Sequence, residues 1–163
     1  LMKAVYGDIY SLEELKKMSD DKEVIFREIY KGNIVPIYGF IEFLEELKSK
    51  NILVGLASNA IKLNVDLTLM ELGIYDQFNS IISGDEVNYG KPNPEMFNKT
   101  VNNFNINKAN CLIFEDSLEG VQAANNADIK VIGVTSSNSS DILKNAGCKE
   151  SIEDYIGYSL NQI

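Results

Sequence analysis

From residue 52 onward, short apolar runs alternate with stretches of helical period, and this alternation limits the fold more than any other feature. Ile52-Leu53-Val54-Gly55-Leu56-Ala57, Ser80-Ile81-Ile82-Ser83, Cys111-Leu112-Ile113-Phe114 and Lys130-Val131-Ile132-Gly133-Val134 have the length and character of buried strands. Between them, Leu63, Leu67 and Met70 recur at helical spacing, as do Phe97, Val101 and Phe104, and then Leu118, Val121 and Ala124. A last helix is expected over Ile142 to Ala146. The repeated order predicts an α/β protein in three layers, a parallel sheet with helices on both faces. Ligands in such sheets bind at the carboxyl ends of the strands, so residues just after each run are the candidates for chemistry.

The first 35 residues do not follow this pattern. Ser11 and Glu14 form a capping box, which opens a helix with Leu12, Leu15, Met18, Ile25 and Ile29 on one stripe. Lys22 interrupts that stripe, and Gly32, Asn33 and Pro36 end the helix. Residues 1–35 therefore read as a helical appendage, and 36–163 as the α/β core. Phe40, Leu44 and Leu47 mark a helix leading into that core.

With 45% hydrophobic residues the chain can build a core, and no window reaches the length of a membrane span. Asp and Glu number 24 against 15 Lys and Arg, a net charge of −9. That balance disfavours nucleic acid and anionic membranes, and an anionic substrate would need a local positive site. The chain has no histidine, which excludes Ser-His-Asp and Cys-His catalysis and His-ligated zinc. Chemistry must come from carboxylates, lysine, hydroxyls, amides or a hard cation. Cys111 and Cys148 give no disulfide framework and fit a reducing cytoplasm. A monomer is expected.

Three segments after strands stand out. Ser58-Asn59 offers a hydroxyl and an amide near a helix start, which suits an anion or a plain N-cap. Lys91 sits between Gly90 and Pro92, before the Asn93-Pro94 helix start, as a fixed point charge or a solvated turn lysine. Glu115 and Asp116 are adjacent acids whose repulsion a cation such as Mg2+ would relieve, or Asp116 or Ser117 is an N-cap beside a solvated Glu115. The polar stretch Thr135 to Asp141 is biased in composition and suggests no role of its own.

Taken together, in order, these segments resemble three motifs of the haloacid-dehalogenase superfamily. Leu56-Ala57-Ser58-Asn59 resembles the second motif, Gly90-Lys91-Pro92-Asn93-Pro94-Glu95-Met96-Phe97 the third, and Phe114-Glu115-Asp116-Ser117-Leu118-Glu119-Gly120-Val121-Gln122-Ala123-Ala124 the fourth. The similar branch holds beta-phosphoglucomutase and phosphoglycolate-phosphatase-like enzymes. The resemblance implies a Rossmann-like core with part of a helical cap, and a phosphatase or phosphomutase acting on a small phosphomonoester. It implies that Ser58 and Asn59 bind the phosphoryl group, that Lys91 neutralises it, and that Glu115 and Asp116 hold Mg2+. Ser58 and Lys91 would be catalytic. Ser11 to Tyr30 resembles the last long cap helix, and Lys22 falls where a cap lysine meets the sugar phosphate in the mutase; it also reads as a lysine lying along the cap surface.

The first family motif, a strand ending in Asp-x-Asp that carries the nucleophile, has no clear counterpart. Met2 to Tyr10 imitates it, with Asp8 in place of the first Asp but Tyr10 in place of the second. The same residues read better as the end of a cap helix and a loop. The core would then lack its first strand, and a segment preceding Leu1 is expected to supply it. Ala127-Asp128 stands where the family commonly has Ala-Gly, at a helix end where Asp tolerates a left-handed turn. A non-catalytic phosphate- or partner-binding domain is the alternative, and a receiver-type signalling domain a third, which the long Ser11 to Tyr30 helix disfavours.

Overall fold

The computed structural model describes residues 5–159, which fall into two compact units, Leu1–Ile34 and Val35–Ile163. In the first unit Val5 and Tyr6 are helical and Gly7 and Asp8 form a turn, so Asp8 does not follow a strand. Met2 to Ala4, the start of the strand imitation, lie outside the described residues. Helix α1, Leu12–Tyr30, opens with the expected capping box. Its Ser11 hydroxyl accepts from the Glu14 N–H, and the Glu14 carboxylate accepts from the Ser11 N–H at 2.8 Å. The apolar stripe is not uniformly covered. Leu15 is buried, whereas Leu12, Ile25 and Ile29 are 73%, 53% and 62% exposed.

The second unit begins with α2, Phe40–Ser49. It continues with β1, Gly55–Ala57; α3, Lys62–Glu71; and β2, Ser80–Ile82. Next come α4, Glu95–Phe104; β3, Leu112–Glu115; and α5, Leu118–Asn126. The unit ends with β4, Lys130–Val134; α6, Ser140–Asn145; and β5, Glu150–Ile152. Every strand pairing is parallel. Strand β5 was not foreseen, because three residues with one apolar side chain carry no periodic signal. No helix of the described residues is long and apolar enough to cross a membrane.

The strands form two groups, β1-β2 and β3-β4-β5. Leu56 pairs with Ile81 in the first, and Ile113 with Val131 in the second. Among the described residues, nothing pairs with the second edge of β1 or the first edge of β3.

Helices join the two groups across both faces. Phe97 and Val101 of α4 share a buried cluster with Val121 and Ala124 of α5, and Ala57 of β1 and Ile113 of β3 pack against it. The next residue along each strand points the other way. Leu56 of β1 packs in a cluster with Leu44 of α2, and Phe114 of β3 packs in one with Phe43 of α2. Helix α2 therefore serves both groups from one face and α4 from the other. The Phe43 and Phe114 rings meet edge to face, 5.6 Å between centroids.

Helix α3 buries a different face from the expected one. Leu63 and Met70 are 62% and 65% exposed, while Val65 and Leu69 are core. Leucine and valine occupy alternate positions from Leu63 to Leu69, so both faces are apolar and spacing alone could not choose. At the end of α5, Asp128 takes φ 60°, the left-handed turn anticipated for it.

Candidate active site

The ends of β1, β2, β3 and β4 and the loops after them carry the candidate residues, and hydrogen bonds connect them. Helix α3 starts at Lys62 with Ile61 at its N-cap, so Ser58 and Asn59 are not its capping residues. They lie in the connecting loop instead. Ser58 N–H continues the ladder to the Ile82 carbonyl at 2.9 Å, and its hydroxyl accepts from the Ala60 N–H at 3.1 Å. Asn59 reaches across to the next loop, where its Oδ1 accepts from the Lys91 N–H at 2.9 Å. Gly90 permits this approach, because a Cβ there would sit 2.8 Å from Asn59 Oδ1.

Lys91 is not a solvated turn lysine. Its side chain is 7% exposed, and Nζ donates to Glu115 Oε1 and Oε2 at 3.2 and 3.3 Å. Nζ also lies 5.0 Å from the centre of the Phe97 ring, a cation–π contact. Glu115, the last residue of β3, is 11% exposed at its side chain. Its Oε1 also accepts from the Ser117 hydroxyl at 2.6 Å. Ser117 is the N-cap of α5 and accepts from the Gly120 N–H at 3.0 Å. The capping role foreseen at this motif thus belongs to Ser117. The Glu115 carboxylate occupies the space a Cβ on residue 120 would need, so any larger residue there would displace it.

Asp116 has separate partners. Its Oδ2 accepts from the hydroxyls of Ser136, at 3.0 Å, and Ser137. The Asn138 amide donates to the Asp116 carbonyl at 2.9 Å. The expected repulsion between adjacent acids is thus offset separately, by an ammonium at Glu115 and by hydroxyls at Asp116. Sequence reading missed Ser136, Ser137 and Asn138, although the polar run containing them was visible and followed a strand.

Ser58, Asn59, Lys91, Glu115 and Asp116 all belong to the second unit. Lys22 belongs to the first, where it is exposed and ion-paired with Glu23. Surface grooves along Glu42, Phe43 and Tyr155 and along Val35, Pro36 and Glu153 contain none of the site residues. Among the described residues, no three His, Cys, Asp or Glu gather into a metal-binding group. Two carboxylates still fit Mg2+, which takes one or two from protein and completes its shell with phosphate oxygens and water.

A buried lysine, a seryl hydroxyl and two carboxylates thus gather at the carboxyl ends of parallel strands, where sheets of this kind bind ligands. The chain belongs to the haloacid dehalogenase-like hydrolase family, whose profile matches residues 3–134. It is 32% identical over 166 residues to Protein SUPPRESSOR OF QUENCHING 1, chloroplastic, of Arabidopsis thaliana, covering 96% of this chain and 16% of that protein. It is 35% identical over 140 residues to the Phosphorylated carbohydrates phosphatase of Thermotoga maritima, covering 84% of this chain and 63% of that one. The solved beta-phosphoglucomutase of Clostridium difficile matches with a TM-score of 0.80 at 27% identity, covering 94% of this chain and 66% of that one. The chain thus spans less than two thirds of these curated relatives.

Proposed function

We propose that this chain carries the phosphate- and metal-binding part of a Mg2+-dependent phosphatase or phosphomutase for a small phosphomonoester, of which a sugar phosphate is the favoured kind. The observation that carries this reading is the buried Lys91–Glu115 pair with Asp116 beside it. A bare scaffold has little use for a buried ion pair, whose desolvation opposes its attraction. Ser58 and Asn59 would bind the phosphoryl oxygens, and Lys91 would neutralise their charge. Glu115 and Asp116 would hold Mg2+, which when bound supplies further neutralisation.

In this reading residues 1–35 are the C-terminal part of a helical cap, which brings Lys22 to the substrate. Residues 36–163 are a core lacking its first strand. That strand, with the nucleophilic aspartate that becomes phosphorylated, comes from residues preceding Leu1 in the parent protein. The unpaired edges of β1 and β3 support this placement. Two free thiols suit a reducing cytoplasm, and a monomer suffices for the site.

The second reading is a non-catalytic phosphate- or partner-binding domain. It is favoured by the lack of a third acid beside Glu115 and Asp116 among the described residues. Phosphate release from a panel of phosphomonoesters, with and without Mg2+, separates the two. Release is expected from the N-terminally extended parent with Mg2+ and not from residues 1–163 alone. If neither form releases phosphate from any ester, the enzymatic reading fails.

A further inference from the structure

The run Thr135 to Asp141 is conspicuous in the sequence, and the functional reading above leaves it without a role. In the fold, three successive residues of it donate to one target. Ser136 and Ser137 donate to Asp116 Oδ2, and Asn138 donates to the Asp116 carbonyl. We infer that Ser136 and Ser137 are positioning residues for a divalent cation at Asp116. This rests on the reading that Glu115 and Asp116 hold the metal.

Strand register explains why the run arrives there. Glu115 pairs with Gly133, so the chain leaving β4 at Val134 passes beside Asp116. Thr135 N–H then donates to the Ile152 carbonyl at 2.9 Å, which anchors the near end of the strap. The Ser140 and Ser151 hydroxyls, 2.8 Å apart, anchor the far end. The strap is therefore held at both ends by β5, independently of Asp116.

Its chemistry differs from that at Glu115. Glu115 already shares its charge with Lys91, so a cation must compete with an ammonium for it. Hydroxyl donors orient a carboxylate without cancelling its charge. Asp116 Oδ2 is held by two of them, and Oδ1 has no partner among the described residues. The side chain is thus fixed in one orientation with a charged, open oxygen. Hydrogen bonds of this kind to a metal-ligating carboxylate are typically worth about 10–100-fold in metal affinity.

The test is Mn2+ binding to the whole chain, followed by free-Mn2+ electron paramagnetic resonance, with circular dichroism melting alongside. Asp116→Asn should abolish binding. The double variant Ser136→Ala with Ser137→Ala should weaken it about 10-fold or more. Ser136→Thr with Ser137→Thr, which keeps both hydroxyls, should bind within about threefold of the wild type. Unchanged affinity in the double alanine variant, with binding lost in Asp116→Asn, overturns the inference and leaves the metal reading standing. No binding by the wild type, or full binding by Asp116→Asn, overturns the metal reading and the inference with it. If the double alanine variant does not fold, Ser136→Ala alone decides. It should still weaken binding severalfold, and wild-type affinity there overturns the inference.

Discussion

Strands β3 and β4 are paired neighbours of similar composition, yet they are buried to different degrees. Val131, Ile132 and Val134 of β4 are 4%, 0% and 3% exposed. All four residues of β3 are only half-buried, although helices cover both of its faces. The difference lies at the edges, since β4 pairs on both sides and β3 on one. Strand β1 repeats the β3 pattern, with Leu56 and Ala57 half-buried and Ile52 and Leu53 before it 40% and 45% exposed. In a three-layer fold, helices seal the faces of a strand, but only another strand seals its edge.

The Lys91–Glu115 pair joins the β1-β2 group to β3, and breaking it should have the largest effect. Lys91→Met leaves Glu115 without its cation in a largely buried position, which typically costs about 3–5 kcal/mol. Adding Glu115→Gln should recover most of that loss. Urea denaturation of the single and double variants measures both. Equal destabilisation by the single and double variants would mean that the pair contributes shape and not charge.

Next in size is the contrast between the strands themselves. Ile132→Ala should cost about 2–5 kcal/mol, as for other fully buried isoleucines. Ile113→Ala on β3 should cost roughly half as much, since burial sets the loss. If residues preceding Leu1 supply a strand beside β3, the Ile113→Ala cost should rise toward that of Ile132→Ala in the extended parent. An unchanged gap between the two would place that segment elsewhere. Gly120→Ala, whose Cβ meets the Glu115 carboxylate, should cost about 1–3 kcal/mol and disturb the same ion pair.

Most of the α/β core was legible because strands β2 to β4 are short apolar runs between segments of helical period. The site was legible as a set of residue types following strands. Their partners were not, since Lys91 and Glu115 are 24 positions apart and meet only through the fold. Likewise Ser136 and Ser137 reach Asp116 through the register of β3 on β4. The exposure of most of the α1 stripe was not legible, because spacing shows which residues share a side and not whether that side is covered. At α3 the reverse held: both sides were apolar, and only the core could select Val65 and Leu69.

The smallest expected effect concerns acid, and it falls on the β1-β2 side. The buried Ser83 hydroxyl lies 2.7 Å from Asp85 Oδ1 and 2.5 Å from Glu86 Oε2. Lys62 N–H adds a bond to Asp85, and Ser83 N–H adds one to Glu86. The Ser83 hydroxyl, more than any other group, holds both carboxyls below their ordinary range. A carboxyl with a lowered pKa in the folded state stabilises that state while ionised. The stabilisation is complete above the ordinary carboxylate range, about pH 4, and is lost as pH falls through the lower folded values. Both side chains are exposed, so water screens the effect to a few tenths of a kcal/mol. Ser83→Ala should therefore lose less stability than the wild type between about pH 5 and pH 3. Parallel urea midpoints against pH for the two proteins would remove this cluster as a source of acid sensitivity. Converging midpoints at low pH would locate part of that sensitivity at the loop joining β2 to α4.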